Sequence, residues 1–117
     1  MESVASSVAM VERRRERRVL IRIPVTLFAN SWDGNPIQAT AEAVAVNRYG
    51  ALLRASVAPG LGTRIEVMNT LSQEVEEFRV VRVGERKIGG LFEIGVEILT
   101  PRPDFWGIHF PERPSPA

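Results

Sequence analysis

The 117-residue chain contains no cysteine, one histidine and one lysine. The absence of cysteine excludes disulfides, thiolate nucleophiles and sulfur-ligated metals. With a single histidine, His109, the chain cannot build a multi-histidine metal centre or a relay that needs a second histidine. These absences argue against an enzyme, and we expect no catalytic residue, no metal site and no cofactor.

Long apolar runs are also missing. No segment approaches the roughly 20 apolar residues of a transmembrane helix. Residues 1–12 lack a basic stretch followed by an apolar core and are small, polar and aperiodic. We therefore expect no membrane insertion, a cytoplasmic location and a flexible leader over residues 1–12. Length and composition suit one globular domain.

Positive charge is concentrated in one short run. Five arginines and one glutamate give residues 13–18 a net charge of +4, which leaves −3 for the rest of a chain whose total is +1. Arginine donates several hydrogen bonds to phosphate and stacks on flat rings. The run favours a phosphate-bearing ligand, although a solvated basic tail is the simpler alternative. The mildly acidic remainder argues against specific nucleic-acid binding.

Apolar residues alternate with polar ones in several short segments that are separated by turn signals. From Val19 one parity is apolar as far as Leu27, and Asp33-Gly34 with Asn35-Pro36 marks the first reversal. Further strands are predicted over residues 38–47, 49–53, 64–67, 75–83 and 91–99. This spacing predicts an all-β fold, a small closed antiparallel barrel of six strands with a split or Greek-key-like order.

The segment after Thr100 holds five prolines, which exclude a long helix. Asp104 can cap a single helical turn over residues 104–107. We expect the apolar side chains of this segment to pack back onto the barrel and residues 111–117 to form a proline-rich tail. Those side chains are Phe105, Trp106, Ile108 and Phe110.

Three segments together resemble the PilZ family. They read ERRRERRVLIRIPVTL, VAVNRYGALLRA and LFEIGVEIL, and the resemblance covers nearly the whole chain after Glu12, which gives a predicted domain over residues 13–110. In that family an RxxxR motif leads into the first strand, and a [D/N]xSxxG motif joins the second and third strands. Arg14 and Arg18 match the first motif, and Gly50 matches the glycine of the second.

The resemblance implies a bacterial receptor for the second messenger cyclic di-guanylate that relays its binding to a protein partner. Arg14 and Arg18 are then expected to contact phosphate and stack on guanine, with Arg13 and Arg15 assisting. The loop between the second and third strands completes the site. The implied ligand-binding residues are Arg13, Arg14, Arg15, Arg18, Asn47 and Gly50.

The second motif departs from the family pattern at two positions. Aligned on Gly50, the chain has Ala45 where the family has Asp or Asn, and Asn47 where it has Ser. Ala45 cannot hydrogen-bond a guanine edge, which removes a contact worth about 1 kcal/mol. The alternative hypothesis is therefore a degenerate PilZ-like module that has lost the nucleotide and acts through protein contacts alone.

Overall fold

The described residues, 18–30, 33–84, 89–108 and 110 of a computed structural model, form six β-strands and no helix. The strands are β1 Val19–Asn30, β2 Pro36–Val46, β3 Gly50–Ala55, β4 Arg64–Asn69, β5 Glu74–Val83 and β6 Phe92–Ile98. The all-β prediction is confirmed. The predicted leader, most of the arginine run and the proline-rich tail lie outside the described residues.

The six strands close into a barrel in the order β1-β2-β3-β6-β5-β4, and every neighbouring pair is antiparallel. Strands β1–β3 form one meander and β4–β6 a second one. The β3–β6 and β1–β4 pairings join the two meanders and close the sheet. This arrangement confirms the predicted closed six-stranded antiparallel barrel.

The alternation predicted for β1 describes its central part. Ile23, Val25 and Leu27 are buried in the core, whereas Val19, on the same parity, is 37% exposed. Val19 is exposed because the neighbouring strand β4 pairs with β1 only from Val25 to Phe28. The first residues of β1 therefore extend beyond the closed part of the barrel.

Pro24 lies beside a bulge in the β1–β2 ladder, between Leu20 and Ile23. Its carbonyl accepts a hydrogen bond from the Thr70 amide at 3.0 Å, just past the end of β4. A residue in an antiparallel strand directs its N–H and C=O to the same neighbour, so the missing N–H of Pro24 lies on the β4 side and removes no bond from the β1–β2 ladder. The β1–β4 ladder itself begins one residue later, at Val25.

The segment after β6 covers the end of the barrel where β1 begins and the β2–β3 turn lies, which we call the upper end. Phe105, Trp106 and Phe110 are buried there, and the Phe105 ring centroid lies 4.8 Å from that of Trp106 and 5.8 Å from that of Phe78. The packing predicted for these aromatics is confirmed. Residues 102–107 form hydrogen-bonded turns, from Phe105 N to Arg102 O and from Gly107 N to Asp104 O, in place of the helical turn.

Polar contacts hold this covering segment on the β4–β5 hairpin. The buried Asn69 side chain donates to the Phe105 carbonyl at 2.9 Å. Arg102 bridges the carboxylates of Glu74 and Glu76 on β5. The hydrogen bond to Glu76, with the charges of the neighbouring carboxylates, raises the pKa of Arg102 above its ordinary value. None of the described residues belongs to a helix that could cross a membrane.

Replacing Phe105 with alanine tests whether the covering segment belongs to the core. Phe105→Ala removes a fully buried ring that contacts Phe78, and we expect the free energy of unfolding to fall by about 3–5 kcal/mol. Leu61→Ala is the control, because Leu61 is 68% exposed, and its effect should stay within about 0.5 kcal/mol. Equal effects of the two substitutions in urea unfolding would contradict the core assignment.

Candidate functional site

The β2–β3 turn is built by the side chain of Asn47. Its Oδ1 accepts hydrogen bonds from the backbone amides of Tyr49 at 2.9 Å and Gly50 at 3.0 Å. The backbone amide of Asn47 donates a hydrogen bond to the Gly50 carbonyl at 3.0 Å. Short polar side chains favour such turns because they satisfy backbone groups two or three residues ahead. Asn47 therefore shapes the loop, and its side-chain oxygen is engaged there.

Gly50 occupies a position where no side chain fits. It begins β3 and pairs with Glu97 of β6. A Cβ atom built on Gly50 would lie 2.1 Å from the carbonyl oxygen of Val96. The motif glycine is therefore required by the close approach of two strands, whatever it contributes to a ligand.

Next to this turn lies a shallow cavity on the outer surface of β3, β6 and β5, with a volume of about 220 Å³. We call it the β3–β6 cavity. It is lined by Arg18, Asn47, Tyr49, Gly50, Ala51, Leu52, Val81, Arg82, Gly95, Val96 and Glu97. Pockets that enclose drug-sized ligands have volumes of about 300–1,000 Å³, so this cavity can hold only part of such a ligand.

Three of the predicted site residues meet in the β3–β6 cavity. Arg18, which directly precedes β1, lines it together with Asn47 and Gly50 from the β2–β3 turn. The structure thus brings together residues about thirty positions apart in the sequence. Arg13, Arg14 and Arg15 lie outside the described residues.

Ala45, the departure from the family pattern, lies on the outer side of the sheet with the cavity. It pairs with Leu20 on β1 and with Leu52 on β3, and directly opposed residues share a face. Leu52 lines the β3–β6 cavity. Ala45 itself is 4% exposed. Its methyl group thus occupies the row in which an acidic side chain would face a ligand.

Two charged residues of the cavity, Arg82 on β5 and Glu97 on β6, do not belong to the predicted site. Arg82 pairs with Gly95, and Glu97 pairs with Gly50 on one side and Arg79 on the other. The sequence predicts both strands, but the bulge between Val80 and Arg82 changes the face on which Arg82 lies. A bulge of this kind has no local signal in the sequence, so only the strand register identifies the two residues.

The charges of the β3–β6 cavity suit an anion with hydrogen-bond donors. Arg18, just before β1, and Arg82 on β5 supply positive charge, and Glu97 adds one carboxylate. The lining also has apolar surface, which is supplied by Tyr49, Leu52 and Val81. Among the described residues, no group of three or more potential ligands is arranged to hold a metal ion.

A larger cavity of about 480 Å³ lies at the opposite end of the barrel, between the β1–β2 hairpin and β4. Glu66 and Glu77 face each other there across the β4–β5 ladder, and Arg64 is the basic residue of the lining. Two neighbouring carboxylates oppose the binding of a phosphate. Of the predicted site residues, the three that the structure describes, Arg18, Asn47 and Gly50, do not line this cavity, and we consider the β3–β6 cavity the better candidate.

Neither the models of known protein families nor the sequences of curated proteins match this chain. The relation to the PilZ family therefore stays a prediction from the three segments that resemble it. A function must be argued from the chemistry of the cavity and from the motif residues that line it.

Substitution of Gly50 tests the strand contact on which the cavity depends. Gly50→Ala forces β3 away from β6, and we expect a loss of about 1–3 kcal/mol in the free energy of unfolding. Gly60→Ala is the matched control, because a Cβ there meets only the Thr63 side chain at 3.7 Å. Its stability should be unchanged or slightly higher. If the two variants unfold at the same urea concentration, the steric role of Gly50 is wrong.

Proposed function

We propose that this chain is a cytoplasmic receptor for cyclic di-guanylate that binds the nucleotide without turning it over. The β3–β6 cavity and the arginine run together form the binding site. One observation carries the proposal: Arg18, from the first motif, and Asn47 and Gly50, from the second, line the same cavity. Residues of two motifs that are separate in the sequence thus line one cavity, which supports a ligand shared by both motifs.

The ligand carries two phosphates and two guanine bases, and the cavity offers a partner for each kind of group. Guanidinium groups such as those of Arg18 and Arg82 form charge-assisted hydrogen bonds with phosphate oxygens. The same flat groups, with Tyr49 and Leu52, can stack on or pack against a base. Both kinds of contact are needed to remove a charged, aromatic ligand from water.

The small size of the cavity is consistent with a role for Arg13, Arg14 and Arg15 in binding the same ligand. A volume of about 220 Å³ can enclose one part of the dinucleotide and leaves the remainder at the surface. Arg13, Arg14 and Arg15 lie three to five positions before Arg18 in the chain and are near enough in sequence to cover that remainder. We propose that they supply the second set of phosphate and base contacts.

A contact between the turn and the covering segment supports a relay to a protein partner. Arg48 lies in the turn beside Asn47, and its Nη2 donates to the Phe110 carbonyl at 3.0 Å. The loop that contacts the nucleotide is therefore tied to the segment that covers the upper end of the barrel. A ligand that shifts the turn would also shift the surface of this segment, which we propose as the part that the partner reads.

Titration with cyclic di-guanylate is the direct test of the proposal. Calorimetry should give a dissociation constant in the micromolar range or tighter, which corresponds to about −8 kcal/mol. Arg18→Ala should weaken binding about tenfold or more, because a hydrogen bond to a charged group is worth about 1.5–3 kcal/mol. Arg22→Ala is the control, since Arg22 is exposed on β1 and does not line the cavity. No heat and no thermal shift of the unsubstituted protein in excess nucleotide would disprove the proposal.

The alternative, a module that acts through protein contacts alone, rests on Ala45 and Asn47. The methyl group of Ala45 cannot hydrogen-bond a base, and the Asn47 oxygen already accepts two backbone hydrogen bonds. Under this alternative the unsubstituted protein binds no cyclic dinucleotide. Its capture of a partner would then be insensitive to the nucleotide and to Arg18→Ala.

Restoring a polar side chain at position 45 tests whether that position faces the ligand. Ala45→Asn places a donor and an acceptor beside Leu52 without burying a charge, and we expect cyclic di-guanylate to bind about fivefold more tightly, as one added hydrogen bond predicts. Ala45→Val, which adds volume but no polar atom, should not strengthen binding. If Ala45→Asn leaves the affinity at or below that of Ala45→Val, position 45 does not face the ligand.

A further inference from the structure

Glu97 is the one acidic residue among the described residues that line the β3–β6 cavity. It is exposed on β6, and its Cα partners are Gly50 on β3 and Arg79 on β5. A carboxylate only accepts hydrogen bonds, and it repels phosphate. Within a site for an anionic nucleotide, such a group can contribute to binding through hydrogen-bond donors of the base.

Guanine has the complementary chemistry. Its Watson–Crick edge presents two adjacent donors, N1–H and the N2 amino group, and an ionised carboxylate can accept both. Adenine presents an acceptor at N1 and no donor at C2. A carboxylate at the base edge therefore favours guanine and opposes adenine.

Part of the outer surface beside Glu97 is formed by backbone. Its partner on β3, Gly50, and the neighbouring outward position on β6, Gly95, carry no side chains, and the Val96 carbonyl and the Arg82 Cβ fill the space at those two positions. Tyr49 and Leu52 line the same cavity and can contact a base that rests on this surface. A base that rests there excludes water from the carboxylate, which strengthens the hydrogen bonds it accepts.

We propose that Glu97 recognises the guanine edge of the ligand and so determines the choice of guanine over adenine. In this role it replaces the acidic or amide side chain that is absent at Ala45, from a different strand of the same outer surface. This inference rests on the proposed function, because it names the base-reading residue of the same site.

The competing explanation is a cross-strand ion pair. Arg79 stands directly opposite Glu97, and opposite charges at such positions stabilise a sheet slightly. An ion pair would affect stability but not the preference between two nucleotides. The preference is therefore the quantity to measure.

The experiment compares cyclic di-guanylate with cyclic di-adenylate on the full chain and on three variants. The unsubstituted protein should prefer the guanine ligand about 10- to 100-fold, the discrimination expected of a bidentate base contact. Glu97→Gln should lose most of that preference. The NH₂ group of the glutamine faces the guanine donors and cannot accept from them, whereas the amide can form hydrogen bonds with adenine. Arg79→Gln should retain it, since the carboxylate stays in place.

Glu93→Gln is the matched control. Glu93 lies on the same strand, pairs with Arg54 at 3.1 Å and does not line the cavity. The Glu93→Gln variant should prefer cyclic di-guanylate over cyclic di-adenylate as strongly as the unsubstituted protein does. Thermal unfolding should confirm that every variant is folded.

The outcomes separate this inference from the proposed function. Binding of cyclic di-guanylate with a preference that Glu97→Gln leaves intact overturns the role of Glu97 and retains the receptor. Loss of preference in Arg79→Gln as well as in Glu97→Gln also overturns it, because the carboxylate that is proposed to determine the preference is still present in Arg79→Gln. Binding of neither nucleotide by the unsubstituted protein overturns the receptor itself.

Discussion

The contact between β3 and β6 at Gly50 is the constraint on which the rest of the structure depends. The two meanders meet in only two ladders, and in one of them the backbone of Val96 fills the space that a Gly50 side chain would need. The same contact places Gly50 opposite Glu97 and brings the β2–β3 turn to the edge of the cavity. Closure of the barrel and formation of the candidate site therefore require the same glycine.

Most of the fold could be predicted from the sequence because its signals are local. The alternation of Ile23, Val25 and Leu27 with polar residues, and the turn residues between strands, need no knowledge of distant parts of the chain. The exposure of Val19 could not be predicted, because it depends on where β4 ends.

The residues of the candidate site differ in the same way, since some are predictable from local sequence signals and others are not. Arg18, Asn47 and Gly50 stand in short motifs, whereas Arg82 and Glu97 enter the cavity through a bulge and a strand register that only the folded chain defines.

Of the two departures from the family motif, the one at Asn47 is the smaller. Asparagine makes the turn through its side-chain oxygen, as a serine hydroxyl also can, so the loop keeps its shape. Ala45 is different, because it lies between Leu20 and Leu52 in an apolar row and is almost fully buried. An ionised side chain there would pay a desolvation cost that only a bound ligand could offset. Glu97 avoids that cost because it is exposed until a base covers it.

Recognition at this site would therefore be shared between the two meanders. Arg18 and the β2–β3 turn belong to the first meander, and Arg82 and Glu97 belong to the second. A nucleotide that contacts all of them connects the meanders across the β3–β6 ladder, in addition to the backbone hydrogen bonds. Because such a ligand binds only the closed barrel, its affinity adds to the stability of that closure. The covering segment contacts both meanders as well, since Arg48 joins the turn to Phe110 and Arg102 joins the segment to β5 of the second meander.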